Sequence, residues 1–289
     1  MVSFNSLCKV VLLITLVFAT IANGKAQEKD TDSLDLIRKP FHLALFTPLS
    51  TNGTESGRTV NEVSLNLFFA YSGGLDGVEL GGFVNMEKYF VKGFQAAGFA
   101  NLNLGYTDGW QLAGFLNYTD QETKGLQASG FMNGTKGRYE GLQASGFGNF
   151  IGADGQGLQA SGFTNLAFQD YKGTQLAGFL NVAGENMKGF QGSGFMNLAD
   201  STMHDTQLAG FMNIAGTLNG AQIGFINIVD SVESGTPIGF LSIVGNGYNH
   251  LEVWGSESFH SNLSAKLGVR HFYNIFSGGF QFLGGQNRL

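Results

Sequence analysis

The stretch Gly125–Leu126–Gln127–Ala128–Ser129–Gly130–Phe131–Met132–Asn133 recurs, with small changes, along most of this chain. Its phenylalanine returns every sixteen residues from Phe83 to Phe211, and slightly shortened copies follow at Phe225 and Phe240. A fixed short period over about 160 residues is typical of a repeat architecture rather than of a single globular core. Chemistry would therefore appear as a departure from the repeat, because residues present in every copy are expected to be structural.

Two amide side chains keep fixed places around the phenylalanines from Phe83 to Phe211. A glutamine lies four residues before the phenylalanine and an asparagine two residues after it, with Glu79 in the glutamine place of the first copy, and Ser242 replaces the asparagine at the end of the array. The repeat residues that we take as defining the structure are Gln127, Phe131, Asn133, Gln143, Phe147, Asn149, Gln159, Phe163, Asn165, Phe179 and Asn181.

This pattern predicts an all-β repeat protein, a β-solenoid of sixteen-residue coils with flanking strands. In a solenoid, equivalent residues stack, so the amides can form inward ladders of hydrogen bonds. An outward amide row that binds sugar is the alternative. We also expect Phe163 to stack inward between Phe147 and Phe179, and its truncation to alanine to cost about 3–5 kcal/mol.

Two other β architectures remain open at this point, an antiparallel meander and a β-barrel. With two-residue turns, an even period would place successive phenylalanines on alternate faces of a meander, and both faces would need to be buried. Turns of three or five residues would remove that objection.

The chain divides into four segments. Residues 1–26 have the charged start, short apolar run and small-residue end of a secretory signal peptide. Residues 27–76 form a lead-in or cap with strands expected at Phe41–Phe46 and Val63–Tyr71, and residues 77–244 form the repeat array. Residues 245–289 are a C-terminal β segment, with strands expected at 251–254, 263–269 and 272–276.

Charge and cysteine content exclude several classes of partner and site. The formal net charge is −6 and no basic cluster is present, which argues against nucleic acid as a partner. The single cysteine, Cys8, lies before the apolar run, so neither a lipid anchor after that run nor a disulfide in the exported chain is expected.

No catalytic, cofactor-binding or metal-binding residues are predicted. The histidines do not pair at the spacing of metal ligands. A carbohydrate-cleaving site would need clustered carboxylates on one face. Charged residues instead fall mostly at variable positions, where we expect solvated turns that include Lys172 and His204. The chain is therefore predicted not to be an enzyme.

The repeat phrase resembles the Gly-apolar-Gln-x-Gly-apolar-x-Asn repeats of surface-repeat proteins of spirochaetes and Bacteroidetes, a family of unknown molecular function. The lead-in phrase at 47–53 and the tail phrases Gly239–Ser242 and Phe272–Ile275 are similar to the Bacteroidetes branch. The resemblance implies an exported surface protein. It also implies a truncated C-terminus, because relatives continue beyond the last phrase.

Together these features predict an exported, non-enzymatic scaffold at the outer membrane or cell surface, with the periplasm as second choice. Its expected partners are the outer membrane, a surface polysaccharide or another surface protein. An integral outer-membrane β-barrel is the alternative, since Val63–Tyr71 and the aromatic tail suit lipid-facing strands.

Overall fold

A computed structural model describes residues 35–257 and 261–280. The predicted signal peptide and the last nine residues lie outside this range. The described chain is almost entirely strand, with one 3₁₀ helix at Gly53–Arg58. The strands are β1 Ile37–Phe46, β2 Leu49–Ser50, β3 Thr59–Gly81, β4 Val84–Ala97, β5 Ala100–Asn103, β6 Tyr106–Ala113, β7 Leu116–Thr119, β8 Thr123–Ser129, β9 Met132–Thr135, β10 Tyr139–Ser145, β11 Gly148–Ile151, β12 Gly155–Ser161, β13 Thr164–Ala167, β14 Tyr171–Ala177, β15 Leu180–Ala183, β16 Met187–Ser193, β17 Met196–Ala209, β18 Met212–Ile223, β19 Ile226–Ile238, β20 Leu241–Val244, β21 His250–Trp254, β22 Ser261–Val269 and β23 Phe272–Phe280.

The array is a β-solenoid of about 11 turns, which confirms the predicted fold class. A typical coil has a long strand before the phenylalanine and a short strand after it, as in β10 and β11. Each strand pairs in parallel with its equivalents one coil before and after, in a register of sixteen residues. Gln143 therefore lies between Gln127 and Gln159. This parallel stacking excludes the antiparallel meander.

The amides fill one part of the interior as two ladders. The glutamines and asparagines at the repeat positions, from Gln95 to Gln222 and from Asn85 to Asn227, are buried with no exposed surface. Gln143 Nε2 donates to Gln127 Oε1 at 2.9 Å, toward the N-terminus. Asn133 Nδ2 donates to Asn149 Oδ1 at 2.9 Å, in the opposite direction. The second Asn133 Nδ2 hydrogen reaches the Ala144 carbonyl at 2.7 Å, so both hydrogens of this buried amide have acceptors inside the coil.

The rest of the interior changes character along the axis. Eight residues before and four residues after Phe115 and Phe131, the coils carry hydroxyls that pair, for example Thr107 with Thr119 at 2.9 Å between Oγ1 atoms. From Tyr139 onward the same places hold apolar side chains, which form one core cluster with Ile151, Tyr171 and Met187. Hydrophobic burial is therefore concentrated in the C-terminal half of the array.

Two glycines in most coils allow successive backbones to stack closely. Gly141 adopts φ +138°, and a Cβ there would lie 1.9 Å from the Gly125 carbonyl oxygen. Gly146, which precedes Phe147, would place a Cβ 2.1 Å from the Gly130 carbonyl oxygen. Only glycine fits such contacts without a shift of the backbone.

The flanking segments contain strands at all the predicted places. The lead-in continues the solenoid, because β1 pairs in parallel with the start of β3. The tail strands β21, β22 and β23 form a separate antiparallel sheet. Asn274 of that sheet donates to the Gly239 carbonyl at 2.9 Å, which ties the sheet to the last coil.

Candidate interaction surface

The phenylalanines form a continuous row on the outside of the solenoid, which we call the aromatic ridge. Its members are Phe83, Phe99, Phe115, Phe131, Phe147, Phe163, Phe179, Phe195, Phe211, Phe225 and Phe240. Phe163 stacks between Phe147 and Phe179 with ring centroids 5.0 and 4.9 Å away. The expected stack exists, but its predicted inward direction is wrong, because the Phe163 side chain is 42% exposed.

The new position of Phe163 changes the expected effect of its truncation. We expect Phe163→Ala to lower the free energy of unfolding by about 2 kcal/mol, since the ring is partly exposed but contacts two stacked neighbours. Urea unfolding followed by circular dichroism measures this loss. His204→Ala, at a partly exposed position, should change it by less than about 0.5 kcal/mol. A loss of 4 kcal/mol or more for Phe163→Ala would indicate a buried ring.

Beside the ridge runs an open groove, which we call the small-residue trough. It is floored by small residues one to three places before the ridge phenylalanines, such as Gly98, Ala144 and Ser145. It extends from Leu80 to Leu208 and has a volume of about 1380 Å³. Its lining consists of Gly, Ala, Ser, Leu and Phe190, and no ridge ring fills it. The trough is therefore uncharged and open to solvent along nine coils.

Charged side chains lie along a different edge of the coil. Arg138, Glu140, Asp154, Asp170 and Lys172 line a shallow polar depression there. Lys172 is exposed as expected, but it lies in β14 rather than in a turn. His204 likewise lies within β17 and is partly buried, so its assignment to a solvated turn is wrong. Because positive and negative side chains are mixed along this edge, it does not form a binding site for either an anion or a cation.

The buried ladders exclude one of the expected binding modes. An amide row that recognises sugar would have to present its donors and acceptors to solvent. Gln127, Asn133, Asn149 and Asn165 have no exposed surface, and their side chains hydrogen-bond to the equivalent amides of neighbouring coils. The alternative of an outward amide row is therefore wrong. The aromatic ridge does not offer a sugar-binding surface either, because the ring faces on which a sugar would stack are covered by neighbouring rings.

One departure from the repeat is a pair of buried carboxyl groups in the first coil. Glu79 heads the glutamine ladder and accepts hydrogen bonds from Ser64, Asn66 and Gln95 at 2.6 to 3.0 Å. Glu87 is fully buried beside it, without a hydrogen bond of standard geometry. Burial, and next the Glu79 carboxyl, raise the pKa of Glu87 well above its ordinary value. Burial also raises the pKa of Glu79, although hydrogen bonding to Gln95, Asn66, Ser64 and Glu87 opposes that shift.

The raised pKa of Glu87 has a consequence for stability. Between the unfolded pKa near 4.5 and the higher folded pKa, the native state retains a proton that the unfolded chain loses, so stability falls as pH rises. Glu87→Gln removes this loss. We expect its stability advantage over the wild type to grow by up to about 1.4 kcal/mol per pH unit above pH 4.5.

Denaturation curves from pH 4 to pH 8 measure this trend. Glu140→Gln, at an exposed position, is the matched control and should show no comparable trend. A constant difference between Glu87→Gln and the wild type across this range would contradict the assignment.

One histidine that the sequence did not distinguish is also buried. His42 Nδ1 lies 2.9 Å from Ser64 Oγ, and burial together with Lys39 lowers the pKa of His42 to about 4. No three histidine, cysteine or acidic side chains come together as a metal site within residues 35–257 and 261–280. In the same part of the chain, no helix is long and apolar enough to cross a membrane.

Searches of protein-family models, curated proteins and solved structures found no match to this chain.

Proposed function

We propose that this protein is an exported, non-enzymatic repeat scaffold of the bacterial outer membrane or cell surface, and that it works by presenting one long apolar face to a partner. The observation that carries this proposal is the uncharged face formed by the aromatic ridge and the small-residue trough. At about 4.8 Å per coil, the eleven ridge residues span ~50 Å. Monomeric proteins rarely expose apolar patches of more than a few hundred Å².

Export is proposed from the sequence. The N-terminal pattern of Lys9, an apolar run from Val10 to Ile21 and small residues near Ala26 is typical of a secretory signal. The resemblance of the repeat to bacterial surface-repeat proteins supports the same location. The periplasm is the second choice.

A scaffold role agrees with the way the coil uses its polar groups. The recurring amides hydrogen-bond within the ladders, and the buried carboxyls Glu79 and Glu87 have no exposed surface on which a substrate could bind. A carbohydrate-cleaving site needs two carboxyl groups that reach a glycosidic bond. The acids Glu140, Asp154 and Asp170 lie instead among basic side chains on the charged edge.

Location and accessibility together test the proposal. We expect fractionated cells to contain the protein in the envelope, cleaved near residue 26, and an externally added protease to degrade it on intact cells. Carbonate washing should release it if it is held at the surface through protein contacts. A cytoplasmic protein that retains its first 26 residues would overturn the proposal. The charged-edge variant Glu140→Lys should share the wild-type location.

A further inference from the structure

We propose that the apolar face binds a second copy of this chain, with the aromatic ridge of each copy seated in the small-residue trough of the other. The inference rests on the proposed function, since it names the partner of the same face. The two features are neighbours along the length of the trough, because Phe147 lies two residues after the trough residue Ser145. The face therefore carries a projecting row and a recessed row side by side.

Size agrees with this pairing. The trough volume of about 1380 Å³, shared over nine coils, gives ~150 Å³ per coil, which is the size of a cavity that accepts one benzene ring. Each coil of a partner would supply one phenyl group. The small floor residues Ala144 and Ser145 provide that space, whereas the leucines Leu80, Leu112, Leu176 and Leu208 line it toward the two ends.

The repeat spacing of the ridge and the trough also fits this pairing. Ridge rings repeat at 4.7 to 5.0 Å between Phe83 and Phe211, the spacing set by the stacked coils. The trough residues repeat with the same coils, so a ridge and a trough of the same protein remain in step along their length. A twofold axis parallel to the solenoid axis would bring each ridge opposite the other trough, with the two chains parallel. Such an interface is self-complementary, as a twofold contact requires.

Area and charge favour a second copy over a lipid surface. At ~4.8 Å per coil and ~3.3 Å per residue, eleven coils of about five residues each give a face ~50 Å long and ~16 Å wide, or ~800 Å² per copy, which is the area that each partner buries in a standard stable interface. A lipid-binding face is usually bordered by Lys and Arg side chains. Here the trough is uncharged, the charged edge is of mixed sign, and the chain is acidic overall.

The test is the mass of the full chain in solution, measured by sedimentation over a range of concentrations. We expect a species of twice 30.9 kDa. Ala144→Lys places a charge in the trough and should weaken association at least ~30-fold. Glu140→Lys, four residues earlier in β10, introduces the same side chain on the charged edge and should leave association unchanged. A wild-type chain that stays monomeric at ~100 μM would overturn the proposal.

A crosslink provides a second readout that does not depend on a destabilising charge. In a Cys8→Ser background, we mix chains carrying Ala144→Cys with chains carrying Phe147→Cys. The ridge-in-trough arrangement predicts a mixed disulfide dimer in preference to either homodimer. Absence of the mixed dimer, with the solenoid folded by circular dichroism, would contradict this arrangement.

Vesicle flotation separates failure of this inference from failure of the proposed function. A monomeric chain that floats with neutral phosphatidylcholine vesicles would show that the face takes lipid, which overturns the second copy as occupant and leaves the surface scaffold standing. A cytoplasmic location would overturn the scaffold whether or not the chain dimerises.

Discussion

Gln159→Glu is expected to lower the free energy of unfolding by about 4 kcal/mol at pH 8. Gln159 Nε2 donates to Gln143 Oε1 at 2.9 Å, while Gln159 Oε1 accepts from Gln175 Nε2 at 2.7 Å. Glutamate has nearly the same shape but replaces the donor with a second acceptor. An oxygen would then face the Gln143 oxygen inside a coil that excludes water, and it would carry charge.

The loss should depend on pH with a definite sign. Protonation of the new carboxyl restores a donor toward Gln143, so the variant should approach wild-type stability near pH 4. Its folded pKa is expected above the unfolded one, so the penalty appears as pH rises beyond the unfolded value. Urea unfolding at pH 4 and pH 8 measures both limits.

The control for this prediction is the same substitution three residues away. Gln156 is exposed, with Glu140 and Lys172 at the equivalent place in the neighbouring coils. Gln156→Glu should change stability by less than about 0.5 kcal/mol. Equal effects of Gln156→Glu and Gln159→Glu would contradict a buried, directional ladder.

Glu79 shows why a carboxylate can occupy the first place of this ladder. Its Oε2 accepts from Gln95, as a glutamine oxygen would, but its Oε1 accepts from Ser64 and Asn66. Donors therefore approach it from both sides. Because each later glutamine donates toward the N-terminus, a group that only accepts is suited to the start of the ladder and to no later position.

Gly141→Ala is expected to cost about 4 kcal/mol, combining backbone strain with a steric clash. The residue has φ +138°, and the new Cβ would lie 1.9 Å from the Gly125 carbonyl oxygen. Since that oxygen belongs to the ladder of parallel strands, relief of the clash would separate two coils. Thermal and urea unfolding, followed by circular dichroism, measure the loss.

Two further substitutions calibrate this prediction. Gly134→Ala places its Cβ 3.4 Å from the Tyr118 ring, an ordinary contact, and should change stability by less than about 1 kcal/mol. Asp205 occupies the place of Gly141 in a later coil with φ +83°, so Asp205→Gly should stabilise the chain by about 1 kcal/mol. A Gly141→Ala variant as stable as Gly134→Ala would show that the coils are not in this close contact.

The sequence predicted the coil because its period is a direct consequence of stacking. Residues sixteen apart are hydrogen-bonded partners, so Gln127, Gln143 and Gln159 report the register without any structure. A buried amide needs hydrogen-bond partners, and equivalent amides stacked in register supply them to one another. The glutamines and asparagines were therefore expected to point inward.

The direction of Phe163 could not be predicted in the same way. Phenylalanine is a strongly buried residue type, and Phe163 has the same even spacing as Gln159 and Asn165, which suggests one shared face for all three. The bend at Gly162 and Phe163, between β12 and β13, interrupts that alternation. The narrow interior is already occupied by the amides, so the ring lies outside.

Glu87 was missed although a signal existed. It lies four residues after Phe83, where the following coils carry Asn103, Thr119 and Thr135. A single acidic residue in a row of small polar residues is a departure from the repeat. Recognising it required knowing that this row points inward, which the structure shows by the burial of Asn103 and Thr119.

The central claim is that amides fill the interior of the coil and phenylalanines cover its outside, and thiol labelling of the folded chain tests it most directly. In a Cys8→Ser background, Phe163→Cys should react with a maleimide almost as fast as the unfolded chain. Asn165→Cys should react only after denaturant is added, and Ala167→Cys, a smaller change at a buried position, reports the same interior. Rapid reaction at 165 and 167 with protection at 163 would contradict the account.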